Sequence, residues 1–357
     1  MLLFATSIPF SSCEEEMTEK DTGDLTAILY NPTNYTLKAP ASYGIPDIPT
    51  DNPMTAEGIT LGKKLFFDPI LSADSTMSCV SCHLQAFSFN DPTKFSTGIR
   101  GEQTPRSAMS LINLAFHKRG FFWDGRSPTL EAQALDPVEN PQELATTWPD
   151  VISKLTKHKE YPSLFRKAFG IKNKNEITKE LAGKAIAQYE RTLISSNSKL
   201  DRILAGADKF TDLELYGYKM YLDDDPDVKD AECGHCHAIP HMTSDQFANN
   251  GLDEAPTLNE FKDLGLGKFT GNNIDKGKFK APTLKNIMLT APYMHDGRFA
   301  TIDEVLDHYS SGGKWSPNKD PLIYKLDFTP LERRALKAFL ETLTDTSFIS
   351  DPNLGPQ

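Results

Sequence analysis

The sequence predicts a mainly α-helical protein of two similar domains with long irregular loops. Three observations carry this: strand-type alternation is scarce, a five-residue cysteine motif occurs twice, and blocks flanking its first copy recur around the second. With 357 residues, 39% of them hydrophobic, the chain is long enough for two cores of ordinary size.

The motif copies are Cys79-Val80-Ser81-Cys82-His83 and Cys233-Gly234-His235-Cys236-His237. Each is Cys-x-x-Cys-His, the attachment pattern of c-type haem. Two thiols at this spacing add to the two vinyl groups of one porphyrin, and the adjacent histidine comes to lie beneath the iron as its axial ligand. Four cysteines also suit a zinc site, and one Cys-x-x-Cys suits a redox dithiol. Zinc does not require histidine directly after both second cysteines, and a redox dithiol does not need two copies. The reading is two covalently bound haem c groups in two cytochrome c-like domains. One is held through Cys79, Cys82 and His83, the other through Cys233, Cys236 and His237.

Helix starts follow from local chemistry. Gly62-Lys63-Lys64-Leu65-Phe66 begins seventeen residues ahead of Cys79, and Gly217-Tyr218-Lys219-Met220-Tyr221 begins sixteen ahead of Cys233. Thr55 with Glu57, and Thr211 with Glu214 at capping-box spacing, precede them. Downstream, Ser110-Leu111-Ile112-Asn113 matches Thr283-Leu284-Lys285-Asn286. Phe122-Trp123-Asp124-Gly125-Arg126 matches Met294-His295-Asp296-Gly297-Arg298, and Thr129-Leu130-Glu131 matches Thr301-Ile302-Asp303. These correspondences predict an internal duplication.

Between the copies, Leu181, Ala185, Ile186, Tyr189 and Leu193 recur at helical spacing and predict one long helix over 177–204. Segments 31–53 and 251–280, rich in Gly, Pro and Asn, read as irregular chain packed around a cofactor. The expected division is a leader and linker over 1–30, a first haem domain over 31–207, a second over 208–345 and a tail over 346–357.

A net charge of -11 argues against nucleic acid as partner and suits a basic protein met by electrostatic steering, besides keeping the chain soluble. No apolar run approaches the ~18 to 20 residues of a membrane span. Met1–Phe10 is short and apolar, runs into Ser11-Ser12-Cys13 and turns abruptly to Glu14-Glu15-Glu16. This pattern resembles a bacterial lipoprotein signal with Cys13 as the acylated residue, although no basic stretch precedes it. Lipid on Cys13 would anchor the protein to the outer membrane; otherwise Cys13 is a stray leader cysteine. Haem attachment to cysteine requires the extracytoplasmic, periplasmic side.

With these blocks located, the chain resembles the di-haem cytochrome c peroxidase family, which includes the MauG-type enzymes. The resemblance covers roughly residues 50 to 345 and rests on LGKKLFFDPILS, CVSCH, FFWDGRSPTLEAQ, DPVENPQEL, CGHCH and TAPYMHDGRFAT. It implies that the N-terminal haem reacts with hydrogen peroxide. The C-terminal haem would then receive electrons from a small c-type cytochrome or a cupredoxin. Peroxide cleavage needs a base for the near oxygen's proton and an acid for the departing oxygen. A carboxylate beside an apolar face serves as both, because burial raises its pKa. The resemblance places this role on Glu143, with Gln133 beside it; Glu139 is the rival in sequence.

Many relatives carry a blocking histidine before the WDGR block. The corresponding Ser96–Gly101 stretch has none, so an open site is expected, with His117 the only histidine nearby. Trp123 takes the place of the family's aromatic bridge between haems. At the second haem the resemblance points to Tyr309, fourteen residues after His295, as sixth ligand, with Met294 and Met242 as alternatives. It further implies one calcium ion on the carbonyls of Thr290 and Pro292, with Ser107 replacing the usual asparagine, and a homodimer in many members. The implied activity is reduction of hydrogen peroxide to water. A MauG-like oxidation of a protein partner is the second possibility, and a non-catalytic di-haem electron carrier the third.

Overall fold

The computed structural model describes residues 21–356. Cys13 and the expected lipoprotein signal lie outside them. Helices dominate the described residues, and the strands form a single two-residue antiparallel ribbon, Phe247–Ala248 against Phe279–Lys280. No helix among these residues is long and apolar enough to cross a membrane.

The first core is built where the helix Ala56–Phe67 crosses the helix Lys179–Glu190. Thr55 caps the former by accepting from Gly58 N, whereas Glu57 turns away to hold Thr33 N at 2.7 Å. At the crossing the backbones nearly touch: a Cβ on Gly62 would stand 1.8 Å from the Ala185 carbonyl oxygen. Leu61 and Leu65 then pack with Val151, Phe165 and Ile186. The second core repeats this geometry with Asp212–Leu222 against Pro330–Glu341. Here Thr211 and Glu214 form the expected capping box, and a Cβ on Gly217 would stand 2.0 Å from the Ala335 carbonyl oxygen. Met220, Tyr221, Leu336 and Phe339 fill this core.

The single helix expected over 177–204 is in fact two. Helix Lys179–Glu190 ends in a turn, and Lys199–Leu204 starts afresh behind a Ser198–Asp201 capping box. The break is enforced by Asn113. Its main-chain N–H bonds the Leu193 carbonyl at 2.8 Å, and its side chain bonds Ser195 N and O at 3.0 and 3.1 Å. Those groups are thereby taken from any helical ladder. Leu193 instead joins Phe66 and Phe89 in a third cluster.

The segment after residue 345 packs back onto the first half. Phe348 packs on Phe89 with ring centroids 5.8 Å apart, Tyr189 Oη donates to Leu354 O at 2.7 Å, and Lys63 Nζ donates to Asn353 O at 2.6 Å.

The two halves are joined by polar groups around the ribbon. Asp245 accepts from Lys118 N and Arg119 N at 2.6 and 2.7 Å and pairs with buried Lys280, whose own N–H bonds the Trp123 carbonyl at 2.8 Å. Arg106 bridges Asp124 and Asp263, each at 2.7 Å.

Candidate active site

His83 Nδ1 lies 2.9 Å from the Phe89 carbonyl, and His237 Nδ1 lies 2.9 Å from the Pro282 carbonyl. A carbonyl can only accept, so each Nδ1 carries the hydrogen and each Nε2 keeps a free lone pair, as a metal ligand requires. Burial reinforces this neutral form: it holds the His83 imidazole below its ordinary pKa and that of His237 down to about 4. The four thiols are free and half-buried, and burial pushes Cys82 up to about 11 and Cys233 up to about 12. Among the described residues the one cluster of three His, Cys, Asp or Glu groups within ligating distance is Asp223, Asp230 and His235, so the cysteines do not converge as zinc would need.

A cavity of about 1130 Å³ is lined by Cys82 and His83, by Cys233, Cys236 and His237, and by Trp123. That exceeds the upper range of an ordinary ligand pocket, about 1,000 Å³. Two attachment motifs with ligand-ready histidines on one oversized cavity fit two haem c groups.

A smaller cavity beside Cys79, Cys82 and His83 collects the acid–base candidates. Gln133 and Glu143 line both cavities, whereas Glu139 is exposed and lines neither. Glu143 Oε1 accepts from Asn140 Nδ2 at 2.6 Å; burial nevertheless holds its pKa above the ordinary carboxylate value. Gln133 Oε1 is buried without a partner. His83 is the sole histidine of the smaller cavity's lining, and the Ser96–Gly101 stretch contributes Ser96 and Gly98. His117 is buried with Nδ1 3.5 Å from Asp245 Oδ1, and its Nε2 has no partner; it lines the larger cavity only.

Sequence reasoning missed Glu190, which lines the smaller cavity at 3% exposure with Oε2 unpartnered. The one available signal was its position: it follows Ala182 and Ile186 on the buried stripe of its helix, where an acid has no business unless it faces a site. Burial pushes its pKa up to about 8, and neighbouring Arg191, paired with Glu131 at 2.7 Å, opposes this only in part. A carboxyl raised in the folded state stabilises most below the unfolded value of 4.5, and that contribution is lost as pH rises towards 8. Glu190→Gln is expected to flatten the fall of unfolding free energy across this window in the haem-loaded protein. Denaturant titrations at several pH values check it; an unchanged slope would show that Glu190 is ionised throughout.

At the second motif, the helix Ile302–Ser311, capped by a Thr301–Glu304 box, carries His308 and Tyr309. Tyr309 and Met294 line the cavity near Cys233 and His237. Asn250 Nδ2 lies 3.2 Å from Tyr309 Oη and 3.5 Å from Met294 Sδ. Burial pushes the Tyr309 phenol up to about 12, with the Asn250 hydrogen bond opposing. Met242 is fully buried in the second core and does not line the cavity.

The Trp123 indole N–H donates to the Ser107 carbonyl at 2.9 Å. The Ser107 hydroxyl is itself engaged with the Met294 carbonyl at 2.8 Å and the His295 carbonyl at 3.3 Å. Contact with the Thr290 carbonyl comes from Asn90 instead, whose Nδ2 lies 3.3 Å away and whose buried Oδ1 has no partner. Pro292 lines the same cavity.

The model of the di-haem cytochrome c peroxidases matches residues 56–209. Methylamine utilization protein MauG of Methylorubrum extorquens is 34% identical over 298 residues, covering 83% of this chain and 80% of that protein. Cytochrome c551 peroxidase of Nitrosomonas europaea is 34% identical over 305 residues, 85% of each chain. The crystal structure of a MauG-like protein associated with microbial copper homeostasis superposes with a TM-score of 0.80 at 34% identity, covering 90% of this chain and 99% of that one. The diheme peroxidase BthA of Burkholderia thailandensis, at 20% identity and a TM-score of 0.72, shares the fold. Similarity this extensive, running through both haem motifs, means that the chain belongs to the di-haem cytochrome c peroxidase family.

Proposed function

We propose that this protein reduces hydrogen peroxide to two waters at the site around His83. Two electrons enter at the site around His237 from a small c-type cytochrome or a cupredoxin. A haem c bound at each motif supplies the iron that takes up those electrons and passes them on. The observation that carries the reading is that Gln133 and Glu143 face the same small cavity as Cys82 and His83. The reaction consumes two protons, so the site needs a group that accepts and releases one near neutrality. Glu143, held above the ordinary carboxylate pKa by burial and positioned by Asn140, is read as that group, and the Gln133 amide orients a bound hydroxyl beside it. Trp123, held between Ser107 and Lys280 at the junction of the halves, is read as the bridge for electrons.

The Ser96–Gly101 stretch brings no histidine to the smaller cavity, and His117 is turned to Asp245 in the larger one, which supports a site open to peroxide without prior reduction. Steady-state turnover with a reduced small cytochrome, started from fully oxidised enzyme, tests this. Full rate from the first cycle is expected; a lag abolished by pre-reduction would contradict the open site. Negligible donor consumption with a long-lived oxidised state would favour the MauG-like reading, oxidation of a protein partner, to which the placement of Tyr309 also lends itself.

We read residues 31–207 and 208–345 as duplicated haem domains. The paired glycine crossings support this, as do the bridges Phe121–Ser127 and Tyr293–Phe299 and the left-handed Asn113 and Asn286. A calcium ion on the Thr290 and Pro292 carbonyls would draw its side-chain oxygen from Asn90 more readily than from Ser107. The periplasmic side, a lipid on Cys13 and a homodimer complete the proposal.

A further inference from the structure

Two side chains able to bind a metal converge on one amide. Asn250 Nδ2 lies 3.2 Å from Tyr309 Oη and 3.5 Å from Met294 Sδ, while the Asn250 carbonyl lies 3.0 Å from His308 Nε2. One residue thus grips two successive positions of the helix Ile302–Ser311, His308 through its main chain and Tyr309 through its side chain. Asn250 is itself fixed from both sides. Asn249 Nδ2 donates to Ser316 Oγ and Asn318 Oδ1, each at 2.9 Å, and Lys314 N donates to the Gly251 carbonyl at 2.6 Å. Asn250, Met294 and Tyr309 share the cavity lining with Cys233, Cys236 and His237.

A donor amide acts differently on the two neighbours. On a phenolic oxygen, an N–H stabilises developing negative charge and leaves other lone pairs free to bind a metal. A thioether sulfur, a weak acceptor, develops no negative charge for the N–H to stabilise, and the contact takes up one of its two lone pairs. We infer that Asn250 is a positioning residue that selects Tyr309 over Met294 as the second protein ligand for the iron of a haem held at His237. It holds the phenolic oxygen in place and stabilises its charge, while giving the sulfur no matching support. The inference rests on the reading of the His237 site as a haem centre with Tyr309 as sixth ligand.

The test uses the haem-loaded full chain, with electron paramagnetic resonance, near-infrared magnetic circular dichroism and the midpoint potential of the second haem as readouts. The native protein is expected to give one phenolate-type signature that Tyr309→Phe abolishes and Met294→Leu leaves intact. Asn250→Leu, which keeps the bulk and loses the donor, is expected to add a thioether-type species and raise the potential, as methionine ligation does. Adding Met294→Leu to that variant should remove the new species. Asn250→Asp, which keeps the shape and main-chain contacts, should act in the same direction and serves if the leucine variant fails to load haem. An unchanged signature and potential in the Asn250 variant that loads haem would overturn the inference alone. A native signature indifferent to Tyr309→Phe would instead overturn the ligand reading beneath it.

Discussion

Glu143→Gln is expected to slow peroxide turnover about 10²- to 10⁴-fold, the range for removing a positioned acid–base group. Fold and haem attachment should survive, because the amide keeps the carboxylate's shape and its oxygen can still accept from Asn140 Nδ2, now 2.6 Å from Glu143 Oε1. The wild-type rate should fall as pH drops and Glu143 is protonated. That acid limb should lie above the usual carboxylate range, since burial raises the group. The limb should vanish in the variant. Exposed Glu139→Gln serves as the control and should stay within about twofold, having no contact with either cavity. Turnover by Glu143→Gln at the native rate would move the acid–base role elsewhere, with Glu190 the next carboxyl on the same small cavity.

Gly62→Ala and Gly217→Ala test the fold itself. Helix propensity favours alanine over glycine by about 0.5 to 1 kcal/mol in a helix interior. Packing opposes it more strongly. The added methyl would stand 1.8 Å from the Ala185 oxygen in one case and 2.0 Å from the Ala335 oxygen in the other, and these are main-chain atoms that cannot rotate away. Forcing the helices apart costs about 1 to 3 kcal/mol or more for overpacking, so the net expected is a loss of about 2 kcal/mol or more by denaturant unfolding. Hydrogen exchange should place the weakening in the first core for Gly62→Ala and in the second for Gly217→Ala. A neutral or stabilising result would mean that the helices can separate freely.

What the sequence disclosed and what it withheld divide along physical lines. The haem motifs were legible because covalent attachment demands two thiols and a histidine at one spacing, leaving little to tertiary context. The Thr211–Glu214 start was legible because a capping box is local chemistry. The break after Glu190 was not, because the apolar period runs through it and its cause, Asn113, lies far away in sequence. Asn250 was invisible for the same reason: its importance comes from Tyr309 and Met294, brought to it by the fold. At Ser107, family spacing indicated a calcium ligand, but its hydroxyl turns to the Met294 carbonyl while Asn90 approaches Thr290.

The return of the chain beyond residue 345 to the first half sets a timetable for folding. Phe348 sits beside Phe66 and Phe89, in the cluster that also packs against Cys79, and Leu354 and Asn353 receive hydrogen bonds from Tyr189 and Lys63. During synthesis the N-terminal half therefore emerges with a slot in its core that its own residues do not fill. It stays unfinished until the chain has been made through residue 354. The cluster that packs against Cys79 is thus completed by residues that follow the whole second half, so the first half on its own lacks part of its core.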